Sequence, residues 1–212
     1  MHPFELDGSV LAIVGLGDIG GALAYKVKAL GMMILATKMR VTAKPVRVDE
    51  IYSPDYLPQL IERADFVADT LPLTPQTRHT FGCDQFERMK SSAYFFNVGR
   101  RETVSQRDLV LALEAGETAG AGLDVTEAEP LPPESPLWHM QNVLLTYHSR
   151  GTSPHVVDRS IQILLDNLGG FQRGQPLANL VDVRAGLLRR GRALQLPRTR
   201  SEVISQPHLT IE

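Results

Sequence analysis

The sequence predicts an α/β fold built on a doubly wound parallel sheet. Two observations carry that prediction. Short apolar runs alternate with amphipathic stretches along most of the chain, which is the pattern of successive βαβ units. The runs are also apolar on both faces, as parallel strands buried between helices are. Such a sheet binds ligands outside the carboxyl ends of its strands, so the residues just after each run are the candidates for function.

The expected strands are SVLAIVG (9–15), MMILAT (32–37), DFVADT (65–70), AYFFNV (93–98), GAGLDV (120–125) and NVLLTY (142–147). A helix is expected over 18–30, directly after the first strand. A second is expected over 105–115, where Ser105 is placed to cap and Asp108 follows three residues on. A third is expected over 154–171, where Val156, Val157, Ile161, Leu164, Leu165 and Leu168 recur at helical spacing. The closing residues, 183–212, are Arg-rich without sustained periodicity and are expected to form a flexible tail, a nucleic-acid or partner-binding arm being the other reading.

Composition narrows the class. A chain of 212 residues, 43% hydrophobic and 22% charged, is ordinary for a globular protein with a sizeable core. Its net charge of −2 leaves no footprint for nucleic acid or an anionic membrane, so neither partner is expected. The single cysteine, Cys83, rules out an internal disulfide, suits a reducing compartment and is read as structural or incidental. No apolar run approaches the ~18 residues needed to cross a bilayer. The first residues carry no basic-then-apolar signal. A cytoplasmic location is the default expectation, and no metal is expected.

The most informative stretch is VGLGDIGG, in which Gly15, Gly17 and Gly20 form G-x-G-x-x-G between the first strand and the first helix. Gly15 is expected to make the tight turn, Gly17 to admit a pyrophosphate to the backbone, and Gly20 to let helix and strand pack closely. The amides of Asp18 and Ile19 would then point from a helix N-terminus toward the phosphates. These features predict a Rossmann-type nicotinamide dinucleotide site. An NAD site places a carboxylate at the end of the second strand, roughly 20 residues beyond the glycines. This chain has Thr37, Lys38 and Arg40 there, with no carboxylate until Asp49. A hydroxyl and two cations suit a 2′-phosphate, so NADP(H) is expected over NAD(H).

Several further stretches resemble the D-isomer-specific 2-hydroxyacid dehydrogenase family, including its glyoxylate/hydroxypyruvate reductases. They are LDGSVLAIVGLGDIGGALA, ADFVADTLPLTPQTRHTFG, AYFFNVGRRETVSQRDLVLALEAGETAGAGLDVTEAEPLPPESPLW and NVLLTYHSRGTSP. The resemblance runs from Leu6 to Asp182, predicts one nucleotide-binding domain over 6–182, and covers only that domain of the family. It implies a hydride transfer between the nicotinamide and a small 2-keto or 2-hydroxy acid. By the same resemblance Arg100, in Asn97-Val98-Gly99-Arg100, would clamp the substrate carboxylate and reacting carbonyl, a planar bidentate task. Glu129 would hold the ring of His148, and His148 would exchange the substrate proton. Asp124 and the Val98 backbone would hold the nicotinamide carboxamide, and Pro72 would border the cofactor. The other histidines, His2, His79, His139, His155 and His208, lack such a context.

The chain also departs from the family pattern. Arg101 stands where a glycine follows the arginine, Tyr147 where a proline precedes the histidine, and Arg150 where a small residue follows. These changes bear on the backbone around Arg100 and His148. Only residues 1–8 precede the first strand, so the family's substrate domain is expected to be absent. The family's habit of pairing through this domain makes a homodimer a further expectation. The residues leave two other readings open: a nucleotide-binding regulatory or redox-sensing module without turnover, and an inactive truncated enzyme.

Overall fold

The computed structural model describes residues 5–40, 47–182 and 187–188. The chain divides into two compact units, with the boundary in sequence between Arg150 and Gly151. The first unit holds a seven-stranded sheet: β1 (Val10–Val14), β2 (Met33–Thr37), β3 (Glu50–Tyr52), β4 (Phe66–Asp69), β5 (Tyr94–Asn97), β6 (Gly120–Leu123) and β7 (Val143–Leu145). The spatial order is β3-β2-β1-β4-β5-β6-β7, and every neighbouring pair is parallel. All six expected strands are present. The doubly wound topology is therefore observed, with its switch point between β1 and β4.

The seventh strand, β3, carries no apolar run. It is an edge strand of three residues whose Glu50 is bonded to Arg63, so its pairing with Leu35, Ala36 and Thr37 is not visible as a sequence pattern. Two helices were likewise missing from the sequence reading: α2 (Leu57–Arg63) and α3 (Cys83–Glu87). At seven and five residues, neither is long enough for a helical period to stand out.

The expected helices form with shorter bounds. α1 (Asp18–Lys28) stops before Gly31, which turns the chain at φ +78°. α4 (Gln106–Ala115) is capped by Ser105, whose Oγ accepts the Asp108 amide, and ends at Gly116 in the left-handed region, φ +72°. The second unit contains α5 (Val156–Gln172) and an antiparallel pair, β8 (Val181–Asp182) with β9 (Leu187–Leu188). The tail expected over 183–212 lies outside the described residues apart from Leu187 and Leu188.

Two apolar layers cover the two faces of the sheet. On one, Phe81, Phe86 and Phe95 pack ring against ring with Leu60, Ile61 and Leu109, all essentially without solvent contact. On the other, Ile13, Ile34, Met32 and Phe66 pack with Ala24 of α1. Each fully buried large side chain contributes roughly 1.5–3 kcal/mol, so these layers hold the strand ends in fixed register. Between β6 and β7 the described connection has no α-helix but a loop with one 3-10 turn at Pro136–Trp138. Glu129 lies on that loop.

Candidate active site

The glycine turn is built at the carboxyl end of β1. Gly15 sits at φ +93°, and a Cβ there would come within 2.9 Å of Leu71 Cδ2. Its amide donates to Thr37 Oγ1 at 3.1 Å, and the Leu16 amide donates to Thr37 O at 2.8 Å. A Cβ on Gly20 would lie 2.8 Å from Ile13 Cγ2 and 2.9 Å from Thr70 Oγ1, so only glycine lets α1 press against β1. At Gly17 the situation is the reverse. The nearest atom to a Cβ would be Gly15 O at 3.9 Å, so the backbone there faces open space. Asp18 and Ile19 are exposed in the first turn of α1, where backbone amides have no partner within the helix. An uncovered glycine at the N-terminus of a helix fits the pyrophosphate of a dinucleotide.

The end of β2 lies beside this turn. Thr37 is buried and its hydroxyl is taken by the Gly15 amide. Lys38 is half-buried, and Arg40 is exposed. The two carboxylates that follow in sequence are held elsewhere. Asp49 binds Lys28 at 2.6 Å and the Ile34 amide at 2.8 Å, at the opposite end of β2, and Glu50 binds Arg63 at 2.8 Å. Among the described residues, the charged side chains just after β2 are those of Lys38 and Arg40.

The third part of the rim is formed by the ends of β5, β6 and β7. His148 Nδ1 lies 3.0 Å from Glu129 Oε2, so the loop after β6 delivers the carboxylate to the ring. His148 adopts φ +54°, uncommon for a residue with a side chain, and its amide donates to Asp124 O at 2.9 Å. Asp124, nearly buried at the end of β6, accepts at Oδ1 from the Ser149 amide at 2.8 Å, from Ser149 Oγ at 3.1 Å and from the Thr146 hydroxyl. The segment carrying the histidine is thus bonded to Asp124 on both sides of the ring, although Tyr147 stands in place of proline and is 87% exposed.

The two arginines after β5 behave differently. Asn97 Oδ1 accepts the Gly99 amide at 2.9 Å, and Gly99 is buried so tightly that a Cβ would lie 2.9 Å from Leu71 O. Arg100 is exposed, and its Nη1 donates back to Gly99 O at 3.1 Å. Arg101 places Nη1 4.0 Å from Glu129 Oε2, on the oxygen that His148 also meets. The structure therefore brings Glu129, His148 and Arg101 together, with Arg100 on the same turn but folded onto its own backbone. Partial burial pushes the Glu129 carboxyl up. The His148 bond, the Thr126 amide and the charges of His148 and Arg101 outweigh it and hold the group below its ordinary range.

Pro72 is exposed and its carbonyl accepts the Thr77 hydroxyl at 2.6 Å; Val98 is half-buried, with its amide donating to Asp69 O at 3.2 Å. The sequence reading missed the polar groups that fasten these loops: Thr70, whose hydroxyl donates to Gly15 O at 2.7 Å, together with Thr146, Ser149, Asp69 and Thr103. Asp69, Thr70 and Thr146 lie at or just beyond a strand end, whereas Thr103 and Ser149 lie in the turns that follow β5 and β7 and carry no such signal. Among the described residues, no group of three His, Cys, Asp or Glu side chains could hold a metal ion. Nor is any described helix long and apolar enough to cross a membrane.

Sheet order, glycine turn and rim together define a Rossmann-type NAD-binding domain. Residues 1–149 match the family model for the NAD binding domain of D-isomer specific 2-hydroxyacid dehydrogenases, and the chain belongs to that family. It is 40% identical over 185 residues to a glyoxylate reductase of Korarchaeum cryptofilum, covering 86% of this chain and 54% of that protein. It is also 40% identical over 181 residues to glyoxylate/hydroxypyruvate reductase B of Escherichia fergusonii, covering 84% and 55%. The chain thus spans about half the length of these relatives. Among solved structures, an NADPH-dependent glyoxylate/hydroxypyruvate reductase of Sinorhizobium meliloti, in complex with NADP and sulfate, superposes with a TM-score of 0.81 at 32% identity, covering 88% of this chain and 60% of that one. A family member from Xanthobacter autotrophicus Py2, in complex with NADPH and MES, also gives 0.81 at 32% identity, covering 88% and 76%.

Proposed function

We propose that this chain is the cofactor-binding part of an NADP(H)-preferring oxidoreductase that interconverts a small 2-keto acid, of the glyoxylate or hydroxypyruvate kind, with its 2-hydroxy acid. The observation that carries the reading is the 3.0 Å contact between His148 Nδ1 and Glu129 Oε2, on the same rim as the glycine turn. When bound, the nicotinamide supplies or takes up a hydride. Glu129 fixes one ring nitrogen of His148 and leaves Nε2 as the working atom. It gives a proton to the substrate carbonyl oxygen in reduction and takes one from the hydroxyl in oxidation. Arg100 exchanges its bond to Gly99 O for the substrate carboxylate, where its planar fork makes two parallel bonds. Gly17 and the amides of Asp18 and Ile19 take the pyrophosphate. Lys38 and Arg40 take the 2′-phosphate, while Thr37, placed by the sequence with them, is buried and holds the glycine turn beside them. Asp124 and the Val98 backbone hold the carboxamide, beside the Pro72 loop.

Titration with NADPH and NADH tests the cofactor assignment. NADPH should bind at least about tenfold tighter, and Lys38→Ala with Arg40→Ala should abolish the difference, as expected for charge-assisted bonds of roughly 1.5–3 kcal/mol. Equal affinities would overturn it. Glyoxylate-dependent oxidation of NADPH tests the reaction itself.

A second reading, a nucleotide-binding module without turnover, is favoured by one observation: the Arg100 guanidinium rests on Gly99 O. It predicts NADPH binding with no glyoxylate-dependent oxidation. The first reading also carries a cytoplasmic location and a homodimer. The dimer is supported by the exposure of Ile161, Leu164, Leu165 and Leu168 on α5, and sedimentation checks it.

A further inference from the structure

Asp69 ends β4 with no solvent exposure, and the proposed reaction does not use it. Its Oδ1 accepts the Leu71 amide at 2.9 Å. Its Oδ2 lies 2.5 Å from Thr103 Oγ1, and the same hydroxyl lies 2.5 Å from Arg100 O. A threonine hydroxyl has one hydrogen to give. It therefore faces two acceptors with a single proton. If the carboxyl is ionised, one of the two short contacts sets oxygen against oxygen with nothing between them. If Oδ2 carries a proton, the acid donates to Thr103, Thr103 donates to Arg100 O, and Oδ1 still accepts from Leu71. Every contact is then a hydrogen bond.

We propose that Asp69 is a proton-dependent positioning residue: as the neutral acid it ties the Leu71–Pro72 loop to the Arg100 turn through Thr103, and on ionising it releases that tie. The inference rests on the proposed function only for its consequence, that the two tied loops flank the nicotinamide and the acid substrate. Burial is the dominant influence on this carboxyl and pushes it up to about 7, the Thr103 and Leu71 bonds drawing it partly back. The tie is therefore made below neutral pH and lost above it.

The charged groups on the surrounding elements have other partners. Arg100 donates to Gly99 O, Arg101 faces Glu129, Glu102 pairs with Arg78, and Asp124 holds Thr146 and Ser149. Asp18, at the start of α1, is exposed. In the sheet, Asp69 is flanked by the uncharged Val14 of β1 and Asn97 of β5.

The test is an NMR titration of the full chain from pH 5 to 9, following the Asp69 Cγ signal and the Leu71, Arg100 and Thr103 amides. Asp69 is expected to titrate within about one pH unit of neutrality, far from the ordinary ~3.9 of an aspartate, with those three amides shifting in step. In Asp69→Asn, where a carboxamide can donate to Thr103 and accept from Leu71 at any pH, the step should vanish. An Asp69 Cγ titration near ~4, or the same amide step in Asp69→Asn, would overturn the proposal. The Cγ titration decides the matter even if the variant does not fold. Neither readout uses turnover, so failure of the proposed reaction and failure of this proposal are separate results.

Discussion

Asp124 Oδ1 accepts both the amide and the hydroxyl of Ser149, so a carboxylate at the end of β6 fixes the residue that follows the histidine. With the Thr146 hydroxyl on the same oxygen, the loop after β7 is fastened from both sides. Removing that oxygen should loosen His148 without disturbing the sheet. Asp124→Ala is expected to cost about 3 kcal/mol, the order of one or two lost hydrogen bonds to a charged group. Urea denaturation checks it, and a cost below about 0.5 kcal/mol would show that the bonds contribute nothing net.

His148→Ala should lower the turnover of NADPH with glyoxylate by a factor of roughly 10²–10⁴, the range of general acid–base contributions, with NADPH affinity little changed. Glu129→Gln keeps the shape beside Nδ1 but removes the charge, and its effect should be smaller. Steady-state kinetics with a separate NADPH titration distinguishes a lost proton donor from a lost cofactor site.

The glycine turn allows stability and binding to be separated. Gly20→Ala forces a methyl group to within 2.8 Å of Ile13 Cγ2 and should destabilise the fold by roughly 1–3 kcal/mol. Gly17→Ala meets no protein atom nearer than 3.9 Å, so its stability should hold while NADPH binding weakens sharply. Thermal melts beside NADPH titrations provide the comparison. Similar losses of stability in both variants would contradict the geometry.

Asp69 makes stability depend on pH in an unusual direction for a carboxyl. Its folded value, about 7, lies above the unfolded ~3.9, so the folded chain binds the extra proton. The stabilisation is complete below about pH 4 and is lost as pH rises to about 7. Asp69→Asn has no such loss, and relative to the native chain it should gain on the order of 4 kcal/mol between pH 4 and pH 8. Glu129 acts with the opposite sign, stabilising at neutral pH and failing as pH falls, but it is present in both chains and cancels. Urea melts at the two pH values give the difference.

What was legible in the sequence follows from the range of each interaction. The six apolar strands and the residue-type demands at Gly15 and Gly20 are local, and the structure shows each of them. Strand β3, with Glu50 and Tyr52 at a sheet edge, has no apolar pattern to read, and α2 and α3 are too short to show one. At the site, Glu129 and His148 stand 19 residues apart on different loops and were paired only through the family resemblance. The Asp69–Thr103 contact spans 34 residues and the Asp124–Ser149 contact 25, and nothing in the intervening sequence announces either. The turn of Arg100 onto Gly99 O, with Arg101 taking the side near Glu129, depends on side-chain geometry that residue spacing does not encode.

Threonines fasten much of this rim. Thr37 and Thr70 hold the two sides of Gly15, Thr103 meets Arg100 O, and Thr146 meets Asp124. Because hydroxyls carry no formal charge, Thr37 and Thr70 fasten the glycine turn, where the proposed site puts the pyrophosphate, without adding a cation of their own. In the proposed site the positive charge that meets the cofactor is that of Lys38 and Arg40, at the end of β2. Added salt should therefore erode the hold on the 2′-phosphate while sparing the grip on the pyrophosphate, so that preference between the two dinucleotides narrows as ionic strength rises.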